Sequence, residues 1–207
     1  MSQIDTNPNA EQNSALPSFP PPYPPKKIIQ VPVIKGKGEK QHLIVKEFTI
    51  SPPSPPIFRI VDVDKKVVIT DTKLVPSVKF DSPEESGGPC WWSKVIINGY
   101  IDKNVSYKTI TDFTSEDVNG PLFHFTTRVY FATYLEIKSM EKIYDTDKVE
   151  ILSAVVEGEK EELLDPNPVP KCAPDWAITY KKLLEKILVR ICAKVTRTEE
   201  VKVQPDC

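Results

Sequence analysis

With 207 residues and 40% hydrophobic content, the chain holds enough apolar material for one ordinary core and a tail. Its formal net charge of −2, with both signs interspersed, supplies no concentrated basic patch, which argues against nucleic acid, polyphosphate or an anionic membrane as partner. It has no run of about 18 apolar residues to span a bilayer, and its start, MSQIDTNPNAEQ, lacks a secretory signal, so synthesis in a cytoplasm is expected.

Residues 1–27 are polar and then proline-rich, with Pro17, Pro20, Pro21, Pro22, Pro24 and Pro25 around Phe19 and Tyr23. Successive prolines favour polyproline II and cannot donate to a sheet ladder, so this segment reads as a disordered or extended arm. A sharper reading makes it an arm that reaches a neighbouring subunit, anchored by Phe19, Tyr23, Ile28, Ile29 and Val31. Residues 28–56 follow as a second region. Two short strands are expected over 28–34 and 42–50, joined by a turn at Gly36-Lys37-Gly38, with Pro32 placing the first at a sheet edge. The run from Ser51 to Pro56 reads as a proline hinge, beyond which edge strands could pair with another molecule.

Residues 57–72 alternate, with Ile57, Val61, Val63, Val67 and Ile69 on one side, and a further strand is expected over 73–80. A loop then delivers Cys90-Trp91-Trp92 to the clearest pattern in the chain. Over 93–108, Val95, Ile97, Ile101, Val105 and Tyr107 all fall on odd positions. Over 121–138, Phe123, Phe125, Val129, Phe131, Leu135 and Ile137 do the same. A period of two with β-branched and aromatic residues on one face predicts two long antiparallel strands, half-buried. Their connection ends in Asn119-Gly120-Pro121, a turn signal.

Another strand is expected over 147–157, then an acidic, proline-rich loop over 160–176. Residues 176–188 fit helical and strand templates alike, whereas the β-rich stretch beyond 188 favours a strand. The fold class is therefore all-β: a two-sheet antiparallel β-sandwich, jelly-roll-like, behind a flexible arm.

Chemistry-bearing motifs are sparse. His42 and His124 sit on the polar phase of expected strands, and neither nucleophile-elbow, zinc nor phosphate-loop spacing occurs. Glu84-Glu85 and Glu161-Glu162 read as solvated loop charges, since acid/base pairs need distinct environments. No enzyme activity, cofactor or metal is expected. Cys90, Cys172, Cys192 and Cys207 lack Cys-x-x-Cys spacing and admit three intramolecular pairings. Loop and terminal positions make them candidates for cross-links between subunits under oxidising conditions, Cys207 foremost; reduced thiols are the alternative in a cytoplasm. Trp91 and Trp92 most simply close one end of the core, and a surface aromatic platform for sugars is the alternative.

The order of segments resembles the SPOCS domain family of endospore-forming Firmicutes. The resemblance rests on Lys94-Val95-Ile96-Ile97-Asn98-Gly99 running on to Tyr107, on the aromatic strand with Phe125, Phe131, Tyr134, Leu135 and Glu136, and on flanking stretches VDVDKKVVITDTKLV and EKILVRICAKVTRTEEVKV. It spans roughly residues 57–203 within a β domain expected over 57–207. The resemblance implies a self-assembling structural protein of the spore coat, exosporium or an appendage fibre, made in the mother-cell cytoplasm and deposited on the spore surface. Its partners would be further copies of itself and other coat proteins. A monomeric adaptor that recruits coat proteins is the alternative; a carbohydrate-active enzyme built on Trp91 and Trp92 would need a carboxylate pair beside them.

Overall fold

A computed structural model describes residues 27–50, 52–80 and 90–203. The fold is the all-β, two-layer antiparallel arrangement that the alternation implies, with no helix among the described residues. Its strands are β1 (Lys27–Thr49), β2 (Arg59–Phe80), β3 (Cys90–Lys108), β4 (Asp112–Phe113), β5 (Val118–Asn119), β6 (Leu122–Ser139), β7 (Lys148–Pro166) and β8 (Tyr180–Val203). Val31–Glu199 form one compact unit, and the described residues 27–30 and 200–203 belong to a second.

The six long strands form one continuous sheet in the order β2-β3-β6-β1-β8-β7. The alternation explains how it becomes two layers. On β3 and β6 the odd residues Val95, Ile97, Ile101, Val129, Leu135 and Ile137 are buried, and on β8 Ile187, Val189, Ile191, Ala193 and Val195 are buried in the same cluster. The sheet folds over so that these faces meet. A smaller group, Ile57, Val105, Tyr107 and Leu183, continues the core toward one end. There the Tyr107 hydroxyl donates to the Pro55 carbonyl at 3.1 Å. β3 and β6 pair without a bulge from Trp91↔Ser139 to Lys108↔Leu122, which keeps every odd residue on the same face. The polar connection between them carries the small β4–β5 hairpin, closed where Thr114 Oγ1 accepts from the Glu116 and Asp117 amides.

Four sequence expectations change. Residues 27–49 are one strand rather than two with a turn, and β1 lies between β6 and β8 rather than at an edge. The glycines serve close approach instead. A Cβ on Gly36 would lie 2.5 Å from Ile137 Cγ2, and one on Gly38 would lie 2.3 Å from the Glu136 carbonyl oxygen. Residues 59–80 are likewise one strand, bent by irregularities at 60/62, 69/71 and 75/78. The expected loop over 160–176 is strand as far as Pro166, paired with β8 from Lys160↔Lys186 to Pro166↔Tyr180. Residues 180–188 are strand, which decides between the two templates: Leu183 and Ile187 point inward and their neighbours do not.

Gly38→Ala should lower stability by about 1–3 kcal/mol in urea unfolding, because a methyl group enters a filled space. Gly158→Ala, where a Cβ meets nothing within 4 Å, should be neutral or stabilise by up to about 1 kcal/mol. Equal losses from both would contradict the close-approach account.

Candidate functional site

The alternation that builds the core also buries charge. Lys103 lies on the inward phase of β3, between Ile101 and Val105, and its side chain is fully buried. Glu185 lies on the inward phase of β8, between Leu183 and Ile187, and is equally buried. Because the layers face each other, Lys103 Nζ comes 2.7 Å from Glu185 Oε1 and 2.5 Å from Glu159 Oε1 of β7. Lys65 of β2, at the rim, also pairs with Glu159. One cluster thus draws a charged side chain from each of four strands.

Its electrostatics are uneven. Burial pushes the Glu185 carboxyl above the usual range, and Lys103 only partly opposes it. Neither Glu185 oxygen accepts a hydrogen bond, although Lys103 Nζ is within ion-pair distance. Burial also pushes Glu159 upward, but hydrogen bonds with Glu161, Lys103 and Lys65 outweigh it and hold the carboxyl at about 2. Glu161 is raised to about 7, chiefly by its hydrogen bond to Glu159 and then by burial. Below about pH 7 it is therefore the protonated donor of that carboxyl pair. Glu161 is a strand residue facing the cluster, not the solvated loop charge expected, whereas Glu162 meets Lys160 and Lys186 at the surface.

The candidates read from sequence lie elsewhere. Phe19, Tyr23 and Cys207 fall outside the described residues, as do Glu84-Glu85; Cys90 opens β3, and its side chain is likewise outside them. Ile28 and Ile29 are exposed and Val31 is half-buried. Cys172 is exposed in the β7–β8 connection with a positive φ of 72°. Cys192 is half-buried on β8, with Sγ 3.4 Å from Glu39 Oε2, and neither of these two is in a disulfide. Trp91 and Trp92 are both half-buried. Lys138 Nζ lies over the Trp92 ring at 4.4 Å, and Trp92 lines an apolar groove of about 590 Å³ with Val75, Pro76 and Val78. His124 is exposed, but His42 is half-buried beside Phe131, and burial lowers its pKa. Among the described residues no group of His, Cys, Asp and Glu is placed to hold a metal ion. Among the described residues the structure brings none of the sequence candidates into a common site. The cluster it does build was signalled by charges at positions 103 and 185, on the apolar phase of their strands.

Lys103→Met leaves the buried Glu185 without its cation and Glu159 with Lys65 alone, and should cost about 3–5 kcal/mol in denaturant unfolding. The carboxyl pair sets a pH dependence. Glu159 has a folded pKa below its free value, so its contribution is present above about 4.5 and is lost as pH falls toward about 2. Glu161 has a folded pKa above its free value, so its contribution is complete below about 4.5 and is lost as pH rises through about 7. Stability should therefore peak near pH 5 and fall toward neutrality, and Glu161→Gln should flatten the falling limb. Wild-type stability that stays level from pH 4.5 to 7 would contradict this assignment.

Comparison with known proteins matches part of the chain to a family. No curated protein and no solved structure matches the chain. Residues 56–157 match the family model described as SipL, SPOCS domain, which takes in β2 through β6 and the first half of β7. Glu159, Glu185 and all of β1 and β8 lie beyond the match, so six of the fourteen residues of the main buried cluster come from segments outside it. Residues 56–157 are thus the part of the chain that matches a SPOCS domain, a family linked to spore-associated proteins.

Proposed function

We propose that the protein is a self-assembling structural component of the endospore surface, whose subunits are joined through the N-terminal arm and by cysteine cross-links. The SPOCS domain over residues 56–157 is the observation that carries this reading. The surface supports it: Val78, Tyr130, Leu122, Leu43 and Val45 are large apolar side chains more than half exposed. The exposed Cys172 thiol is available to a second molecule. The arm over residues 1–27 carries Phe19 and Tyr23 among its prolines as the anchors that would reach a neighbour. Strand addition at the sheet's outer strands is the less favoured contact, because β2 and β7 both carry bulges that blunt an edge. In this reading the coat, the exosporium or an appendage fibre is the destination, with assembly beginning in the mother cell and cross-linking following on exposure to oxidant. A head-to-tail contact that does not close gives a fibre, and one that closes gives a ring.

A second reading, a monomeric adaptor for other coat proteins, is favoured by the apolar groove beside Trp92, which Lys94 and Glu136 also line. Negative-stain electron microscopy of the full chain, with gels run with and without reductant, separates the two. The first reading expects ordered assemblies and multimer bands that collapse on reduction. It also expects those bands to weaken in Cys172→Ser and vanish in Cys172→Ser/Cys207→Ser. A monodisperse monomer under oxidising conditions contradicts it and leaves the adaptor.

A further inference from the structure

The buried cluster has the parts of a condensation site. Lys103 Nζ and Glu185 Oε1 are 2.7 Å apart, both side chains are fully buried, and Ile101, Val105, Leu183 and Ile187 beside them are buried too. The Lys103 amine thus lies in direct contact with the Glu185 carboxyl. Glu159 Oε1, 2.5 Å from the same Nζ, is a proton acceptor already in place, and Lys65 and Glu161 hold it from the rim. We propose that Lys103 and Glu185 are a self-modifying pair that condenses to an intramolecular amide, with Glu159 as the proton carrier and one water as the only by-product.

The balance closes without a co-reactant. Lys103 enters as an ammonium and Glu185 as a carboxylate. One ammonium proton passes through Glu159 to a Glu185 oxygen, leaving a neutral amine against a neutral acid. The amine lone pair attacks Cδ and the C–N bond forms. A second proton passes from nitrogen through Glu159 to the hydroxyl, the C–O bond breaks, and water leaves. The third proton stays on the amide nitrogen, Glu159 ends as it began, and nothing is oxidised or reduced. Two features favour this direction. Well-oriented groups held together can reach effective concentrations of ~10⁵ M or more, and the apolar surround excludes the water needed for hydrolysis. The Lys65 side, where the cluster is partly open, is the exit for the water. Because β3 and β8 lie in opposite layers, the amide would join them covalently through their side chains.

The test is the intact mass of the folded full-length chain after denaturation, followed by peptide mapping. The proposal expects a mass lower than the sequence mass by one water, and a branched peptide joining the Lys103 segment to the Glu185 segment. Glu159→Gln keeps the side-chain shape but cannot accept the proton, so it should show the full sequence mass while keeping the wild-type circular dichroism spectrum. Folded wild-type protein at the full sequence mass overturns the proposal, as does a lost water mapped to any other pair, Lys103 with Glu159 included. A cross-link that persists in Glu159→Gln overturns the proton carrier. If that variant does not fold, the wild-type mass and map decide alone.

Discussion

A lysine in the middle of an apolar face is the constraint on which the two-layer arrangement turns. Lys103 sits on the inward phase of a bulge-free strand pairing, so it cannot reach water without a one-residue slip that would turn Ile101 and Val105 outward as well. Its charge must be met inside. The partners come from the opposite layer, Glu185 on β8 and Glu159 on β7, and Lys65 on β2 joins them at the rim. Apolar packing alone tolerates sliding of one layer over the other, since aliphatic contacts are non-directional. A buried ion cluster does not, because displacing any member leaves a charge in an apolar surround.

A second polar device acts in the same unit. Arg197 on β8 donates to both carboxylate oxygens of Asp147 at 2.8 and 2.7 Å, and to the Lys142 carbonyl at 2.8 Å. Asp147 in turn accepts from the Tyr144 amide, so the β6–β7 connection is fastened to the last strand. Arg197 and burial act in opposite senses on that carboxyl, and the Arg197 hydrogen bonds prevail in lowering its pKa. Both devices join β8, which the family match does not include, to segments that it does. The segment that matches the SPOCS domain is thus completed by a strand tied in at two points.

How much of this was legible follows from whether each signal is local. The period of two over 93–108 and 121–138 is local, and it located β3, β6 and most of the core. The two glycines near Lys37 were misread because a turn and a close approach leave the same mark in a sequence. What distinguishes them is the neighbouring Ile137 and Glu136 backbone, about a hundred positions away. The stretch KEELLDP reads as a loop because it is acidic and ends in proline. Two of its carboxyl groups nevertheless have partners that only the fold supplies, Glu161 in Glu159 and Glu162 in Lys186. Lys103 and Glu185 were visible as charges out of phase, but their meeting depends on the sheet folding over.

The claim that this cluster ties the layers together is tested most directly by a double-mutant cycle on Lys103→Met and Glu185→Leu, read by denaturant unfolding. The account predicts that each single change is costly and that the double variant costs far less than their sum, with a coupling of about 2 kcal/mol or more. Additive losses, with coupling near zero, would mean that the two side chains are buried beside each other without depending on each other, and the account would fail.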